Sequence, residues 1–295
     1  MKNNNIDEQE YLKQYNQGDY DRPSITTDIV VFTLKQEEKS NYRRVPKKFL
    51  SILLIKRGVH PYKGEWALPG GFVRIGETVE EAASRKLKEE TGVSTVNLSQ
   101  LHCFSEPKRD PRGWIISSSF MALAKEDLFF VNSGYDAIDA QWFHVDYKRI
   151  AVNTVDNKSG SVTSNKYRLE LTHEDIELSA IIEVKVFISS KRHDIEYKIL
   201  ESEGIAFDHS KIIAYAINQL RDNLHISMLG FELMPEYFTL RDLQDAFEAI
   251  SDKKLLTANF RRKISDYVIE TDMFQEGLGH RPAKFYKRNY ENLII

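Results

Sequence analysis

GFVRIGETVEEAASRKLKEETGV, residues Gly71–Val93, is the stretch on which the reading of this chain turns. Val79, Ala82, Ala83 and Leu87 recur at the three- and four-residue spacing that lines one face of a helix. The spacing predicts a helix over Thr78–Thr91. Gly92 stops it, at the position past a helix end where a left-handed backbone costs glycine little. Residues 86, 89 and 90 are three and four apart, so Lys86, Glu89 and Glu90 share another face. An ammonium there stands within pairing reach of two carboxylates. Glu77 and Arg85 are placed to brace the start of the helix by an ion pair. Glu80 and Glu81 fall in the first turn, where the helix dipole favours acids, and read as solvated. Just upstream, LPGG (Leu68–Gly71) sets a turn that glycine makes easy.

The chain around this stretch has 295 residues, enough for about two domains at ~150 residues each. Apolar residues make up 41% and charged residues 29%, the mix of an ordinary globular protein. No apolar run approaches the ~20 residues needed to span a bilayer. The start, MKNNNIDEQEYLKQYNQ, lacks the apolar core of a signal peptide, so a cytoplasmic location is expected. Residues 1–22 are polar and tyrosine-rich and read as a loosely packed arm. The single cysteine, Cys103, excludes an intrachain disulfide. In LHCFSE it reads as a buried strand residue rather than a catalytic thiol. A net charge of −3 leaves nucleic-acid binding to be decided by how charge is distributed.

Strands are expected at Ile25–Leu34 and Phe49–Lys56, joined by a charged loop, Lys35–Lys48. Further strands are expected at Leu101–Ser105, Trp114–Ala124 and Ala140–Phe143. Residues 151–164, AVNTVDNKSGSVTS, read as a polar, turn-rich stretch, with strands beyond it at Tyr167–Leu171 and Ile176–Phe187. His209–Leu224 is a strongly periodic helix with Ile212, Ile213, Ala216, Ile217 and Leu220 inward. The pattern then changes, which places a domain boundary near His225–Gly230.

Beyond that boundary, Thr239–Ile250 opens with a threonine cap and keeps Leu240, Leu243, Phe247 and Ile250 on one face. Thr257–Val268 follows, also read as threonine-capped, with Phe260, Ile264, Tyr267 and Val268 inward. Its polar side offers Asn259, Arg261, Arg262 and Lys263 near the helix start. This is the logic of a helix-turn-helix, whose second helix presents its early residues to the major groove. Glu276–Gly279 is turn-rich and leads into HRPAKFYKR, which has the look of a wing. Lys253, Lys254, Arg261, Arg262 and Lys263 gather at the second helix, and Arg281, Lys284, Lys287 and Arg288 at the wing. Asp242, Asp245 and Glu248 lie on the first helix instead. Segregation of this kind suits phosphate binding, although a solvated basic helix of a small accessory domain gives the same pattern.

Gly71–Val93 resembles the Nudix box, G-x5-E-x7-R-E-U-x-E-E-x-G-U, where U is bulky and apolar. Gly71, Glu77, Arg85, Leu87, Glu89, Glu90, Gly92 and Val93 match, and Lys86 stands where the family has glutamate. Nudix enzymes hydrolyse a diphosphate joined to another group, using Mg²⁺ or Mn²⁺. The resemblance implies an α+β chain, with an α/β/α sandwich around a mixed sheet followed by a C-terminal winged helix-turn-helix. In an intact box three glutamates form an acidic platform for a hard cation. The cation neutralises phosphate charge and activates water. Here Glu89 and Glu90 remain the candidate catalytic and metal-holding pair. Lys86 replaces a negative charge by a positive one, so Mg²⁺ or Mn²⁺ binding is expected to weaken and hydrolysis to be weak or absent. The alternative is that Lys86 points aside and Glu89 and Glu90, with another acid, still hold metal.

The two-domain combination is similar to the Nudix-related transcriptional regulators, the NrtR type that controls NAD metabolism and sugar-responsive relatives such as the arabinose regulator. The likeness runs through Tyr20–Leu34, His60–Val73, the box, Arg109–Ser117, AFDHSKII (Ala206–Ile213), Phe238–Ile250, NFRRKI (Asn259–Ile264) and GHRPAKFY (Gly279–Tyr286). It implies a Nudix-like ligand-binding domain over 1–225 and a DNA-binding winged helix over 226–295. It further implies a homodimer, a palindromic DNA operator, and a nucleotide or sugar effector such as ADP-ribose. Asn259, Arg261, Arg262, Lys263, Arg281 and Lys284 match the DNA-contacting helix and wing. Arg57, Arg109, Arg112 and Glu77 are the candidate ligand contacts, guanidinium being suited to bidentate contact with phosphate. The departure is an insertion near 151–203, placed to cover the ligand pocket or to widen a dimer interface.

Three functions follow. The first is a ligand-responsive transcription factor that has kept a degraded Nudix domain as a sensor, favoured by Lys86 and by the basic helix with its wing. The second is an active Mg-dependent Nudix hydrolase of ADP-ribose or a related nucleoside diphosphate derivative, favoured by Glu77, Glu89 and Glu90. The third is a nucleotide-binding scaffold, which has little direct support.

Overall fold

The computed structural model describes residues 7–37, 47–92, 96–125, 137–157, 160–190, 193–224, 229–275 and 282–292. Short helix α1 (Glu8–Gln14) buries no residue, and Tyr11, Tyr15 and Tyr20 line up beside it with ring centroids 6.1 and 6.5 Å apart. The rest of the first two-thirds is built on one ten-stranded sheet. Its strands are β1 (Ser24–Gln36), β2 (Lys48–Arg57), β3 (Trp66–Ala67), β4 (Gly70–Phe72), β5 (Leu98–Phe104), β6 (Ile115–Leu123), β7 (Ala137–Asn157), β8 (Gly160–His173), β9 (Ile176–Ile188) and β10 (His193–Glu203). The order is β10-β9-β8-β7-β2-β1-β6-β5, with β3 on β2 and β4 on β1. β1 and β6 run parallel and the other pairs antiparallel, so the sheet is mixed.

Both faces of the central strands are covered, and this is why β1 reads as a continuous apolar run rather than an alternating one. Ile29, Val31 and Leu53 meet Ala83 and Leu87 of helix α2 (Val79–Thr91) on one face. Val30, Phe32 and Ile52 belong to the core on the other face, with Ile213 and Ile217 of helix α3 (His209–Asn223). Thr78 caps α2 in a reciprocal capping box with Glu81, and Gly92 ends it at φ 75°. The expected α/β/α sandwich is therefore present.

The insertion differs from its reading. Residues 151–157 and 160–164 are not a turn-rich stretch but the distal halves of β7 and β8, paired in register from Ala151↔Lys166 to Asn157↔Gly160. Residues 151–156 are all exposed, so no face is buried and the alternation that marks a strand is lost. Backbone pairing holds them instead, helped by a Thr154–Thr163 hydroxyl contact of 3.1 Å. β10 went unread for a related reason: it is an edge strand with only Tyr197 and Ile199 part-buried. Cys103 is exposed, against expectation. A register shift between Gln100 and His102 reverses the alternation of β5, turning Phe104 inward and Cys103 outward.

The C-terminal third contains β11 (Tyr237–Thr239), α4 (Leu240–Ser251), α5 (Thr257–Ile264), β12 (Val268–Phe274) and β13 (Lys284–Arg288). A three-stranded sheet, β11-β13-β12, flanks the two helices, which is a winged helix. Thr239 caps α4 through a capping box with Asp242. α5 is shorter than the expected Thr257–Val268: it ends at Ile264, and Val268 already begins β12. Its N-cap is Leu256, so Thr257 is the first helical residue and not the cap. The turn expected at Glu276–Gly279 lies outside the described residues.

The winged helix packs directly on the sheet. Leu243, Phe247 and Phe260 share one continuous core with Leu50, Ile213 and Ile217. Within the C-terminal part, Gly230 lets its backbone lie close against α4, since a Cβ there would lie 2.6 Å from the Phe247 ring. α3 joins the two parts. Near its C-terminus the Arg221 guanidinium donates to the Tyr147 carbonyl of β7 and to the Ile250 carbonyl of α4, each at 3.0 Å.

Candidate functional site

The loops at one end of the sheet enclose a cleft of about 170 Å³. β2 delivers Arg57 at its C-terminal end, the loop between β5 and β6 delivers Arg109 and Arg112, and the segment before α3 delivers Phe207. α2 contributes Lys86 and Glu90 to the opposite wall. The three arginines named from the sequence are thus brought together, and each is held differently. Arg57 donates to the Pro61 carbonyl at 2.8 Å and lies 4.8 Å from the Phe207 ring centroid. Arg112 pairs with Asp110 at 2.6 Å and sits between the rings of Phe72 and Phe207, 5.1 and 5.3 Å from their centroids. Phe207 keeps this place with a left-handed backbone, φ 54°.

Arg109 is different. Its side chain is 4% exposed, and it donates to both carboxylate oxygens of Asp208, at 3.0 and 2.7 Å, and to Asp28 at 3.3 Å. Burial pushes its pKa down, but Asp208 and Asp28 outweigh burial and the net shift is upward. Arg109 is first a clamp between β1 and the start of α3. His209 completes the cluster. Its Nδ1 accepts the Leu68 backbone N–H at 2.9 Å, which leaves Nε2 to face Asp28 at 3.6 Å. Burial holds its pKa below the usual range, so it is neutral at pH 7.

Asp28, Asp208 and His209 were not singled out from the sequence. The signal for Asp28 was an acid inside the apolar run ITTDIVVF, because a buried charge demands a partner. Asp208 and His209 lie in AFDHSKII, where the helix cap was the obvious role for the acid. Asp208 does occupy the N-cap, but its carboxylate makes no capping bond and is spent on Arg109.

The α2 wall is crowded with charge. Glu77 accepts from Arg85 at 2.9 Å and from the Arg74 backbone N–H at 2.9 Å. Those bonds, Arg85's first, hold its carboxyl down at about 2. Glu77 is therefore a brace on the loop. Glu89 receives Arg85 at 3.2 Å and Arg74 at 3.5 Å. Glu90 accepts the Gly70 backbone N–H at 3.0 Å. Lys86 does not point aside: its Nζ lies 3.1 Å from Glu90 and 3.5 Å from Glu89. Gly71 makes room for it, since a Cβ there would come 2.4 Å from the Lys86 Cε. Three carboxylates, Glu77, Glu89 and Glu90, are interleaved with three cations, Arg74, Arg85 and Lys86. Among the described residues no group of three or more acids, histidines or cysteines could hold a metal ion. This donor set does not fit Mg²⁺ or Mn²⁺, which take several oxygens free of competing cations.

A second surface lies on the winged helix. Asn259, Arg261, Arg262 and Lys263 are all exposed on α5, while Phe260 and Ile264 are buried beneath them. None of the three cations has an ion-pair partner among the described residues. Other basic residues named from the sequence are engaged: Lys254 pairs with Glu248 at 2.6 Å, and Lys284 pairs with Glu270 on the neighbouring strand. Arg288 lies 5.4 Å from the Phe231 ring centroid. Arg281 lies outside the described residues. No described helix is long and apolar enough to cross a membrane.

Residues 24–155 match the family model of the NUDIX domain, and residues 230–287 match that of the NrtR DNA-binding winged helix domain. The ADPR responsive transcriptional repressor NtrR of Acinetobacter baylyi is 28% identical over 95% of this chain and 88% of its own length. The ADP-ribose pyrophosphatase of Methanocaldococcus jannaschii is 42% identical over 45% of this chain and 67% of its own. The crystal structure of a MutT/nudix family protein from Enterococcus faecalis superposes with a TM-score of 0.66 at 28% identity, covering 97% of this chain and 95% of that one.

Proposed function

Because the chain belongs to the Nudix family, among the members that carry an NrtR-type winged helix, we propose that it is a ligand-responsive transcriptional regulator whose Nudix domain senses a nucleoside-diphosphate-sugar ligand. The observation that carries this reading is the α5 surface, where an asparagine and three cations, with no ion-pair partner among the described residues, project from the second helix of a winged helix. Charges that serve folding are paired, as those of the cleft are. Charges left open on one helix face suit the phosphates of a DNA groove.

On this reading Asn259, Arg261, Arg262 and Lys263 enter the major groove, and Lys284 of β13 and Arg281 add further contacts to the DNA. Arg57 and Arg112 receive the diphosphate, Phe72 and Phe207 flank it, and Arg109 positions the cleft. ADP-ribose is the proposed effector, supported by the names of both curated relatives, and its binding weakens DNA affinity. The regulator is proposed to act as a homodimer on a palindromic operator, so that each winged helix reads one half-site. The β10 edge, with Ile195 and Leu200 exposed, supports a self-association surface. The test is fluorescence anisotropy against promoter DNA from the chain's own gene neighbourhood. Binding should tighten as salt falls and weaken when ADP-ribose is added; no binding at low salt overturns the regulator reading.

The M. jannaschii relative favours a second reading, an active pyrophosphatase in which Glu89 and Glu90 hold Mg²⁺ or Mn²⁺. Against it stands Lys86, bound to both carboxylates. Weak or absent hydrolysis is the expected outcome of an ADP-ribose assay with either metal, and robust turnover would restore the enzyme.

A further inference from the structure

The box helix, α2, holds a cation of its own. Lys86 replaces the acid at the centre of the face, yet its side chain is only 13% exposed and lines the same cleft as Arg57, Arg109 and Arg112. Its ammonium bridges Glu90 and Glu89, the two carboxylates left on the metal-holding face of the box. Glu90 is itself 4% exposed and tied to the Gly70 backbone, so its carboxylate cannot swing away to another partner. Gly71 has no side chain to push the lysine stem out. The lysine is thus seated between the acids and the cleft rather than extended into solvent.

We propose that the Lys86 ammonium is a resident cation that takes over the charge-bridging role of the divalent ion, so that the cleft binds a diphosphate ligand without metal. An ammonium carries three donor protons. The Lys86 ammonium ion-pairs with Glu90 and Glu89 at 3.1 and 3.5 Å while its side chain also lines the cleft, where a donor proton can meet a phosphate oxygen. It joins the Arg57 and Arg112 guanidiniums in neutralising the diphosphate, and the three interleaved acids and cations of the wall stay in balance when no metal is present. What the ammonium does not supply is Lewis acidity: it has no coordination site on which a water could lose its proton. Binding and cutting are thereby separated by one side chain. The metal-free sensor keeps its ligand intact and responds to the ligand's concentration alone, whatever the supply of Mg²⁺ or Mn²⁺.

The proposal rests on the reading of the cleft as a diphosphate site, and its test carries a readout that needs no ligand. In the first arm, Mn²⁺ is titrated into the full chain and followed by electron paramagnetic resonance. The wild-type chain should show no specific Mn²⁺ site, and Lys86→Glu should gain one. In the second arm, ADP-ribose is titrated calorimetrically in EDTA and again with Mg²⁺. Wild-type affinity should be the same in both. Lys86→Gln should lose about tenfold or more in EDTA, the size expected of one charge-assisted hydrogen bond. A specific Mn²⁺ site in the wild-type chain overturns the proposal. So does a wild-type affinity that rises about tenfold with Mg²⁺, or a folded Lys86→Glu chain that gains no Mn²⁺ site. If Lys86→Glu does not fold, Lys86→Gln still decides, because unchanged affinity in EDTA refutes a direct role for the ammonium. If ADP-ribose binds under neither condition, the ligand assignment fails, while the Mn²⁺ arm continues to decide the role of Lys86.

Discussion

The cleft and the α5 surface are both rich in positive charge, and they treat it in opposite ways. In the cleft, Arg109 is buried and paired with acids from elements distant in sequence, and Lys86 is largely buried and paired with Glu89 and Glu90 of its own helix. On α5, Arg261, Arg262 and Lys263 are exposed and unpaired among the described residues. Burying a charge is costly unless it is paired, so the pairs of the cleft are part of the fold. Exposed charges cost the fold almost nothing and are free to meet a polyanion. The same residue type therefore predicts opposite consequences of mutation in the two places.

The sharpest way to break the comparison is Arg109→Ala. It leaves buried Asp28 and Asp208 without Arg109, with Lys211 remaining 3.6 Å from Asp208, and breaking such a buried pair typically costs about 3–5 kcal/mol. Urea denaturation should show a loss of that size; a loss below ~1 kcal/mol would mean the clamp is not structural. Arg221→Ala comes next. It removes hydrogen bonds to the Tyr147 and Ile250 carbonyls and should cost roughly 1–3 kcal/mol, also read by urea denaturation. In addition it should reduce the effect of ADP-ribose on DNA affinity, because α3 loses its hold on α4.

Arg262→Ala should do the reverse of Arg109→Ala. Stability should stay within about 0.5 kcal/mol of the parent chain. The slope of log affinity against log salt should fall by about one unit, as expected for one lost phosphate contact. An unchanged slope would show that Arg262 does not meet phosphate. The smallest effect is expected at Glu77. Its carboxyl is held at about 2 against an ordinary 4.5, mainly by Arg85. A depressed folded-state value means that its contribution is fully present above the ordinary value and is lost as pH falls through about 2. Glu77→Gln should therefore flatten the acid limb of stability between those pH values, its loss being read at neutral pH and fading as pH falls through about 2. A steeper acid limb in the variant would contradict the brace.

What the sequence made legible follows from where the signal lies. α2 was readable because its apolar period, its threonine cap and Gly92 all act within one helix. The winged helix was readable for the same reason, and the end of α5 was not. Tyr267 and Val268 continue the apolar pattern into β12, and periodicity alone does not register a change of backbone. The distal arm of β7 and β8 escaped notice because its strands bury neither face there. Within the site, the three arginines were named as ligand contacts, but the partner that makes Arg109 a clamp lies 99 residues away, where no local pattern reports it.

Helix α3 begins at Asp208, gripped by Arg109 beneath the cleft, and carries Arg221 in its last turn against α4. At ~1.5 Å per residue the fifteen-residue rod spans about 22 Å, and each residue also turns it by ~100°. The two grips are therefore related by an angle as well as by a length. One alanine inserted mid-helix would lengthen the rod by little more than a bond, yet it would swing the Arg221 end by roughly a quarter-turn relative to the Asp208 end. A seven-residue insertion would add two turns and bring the ends back to within about 20°. Communication between cleft and winged helix would then be governed by phase, in the sense that two gears on one shaft must keep their teeth aligned.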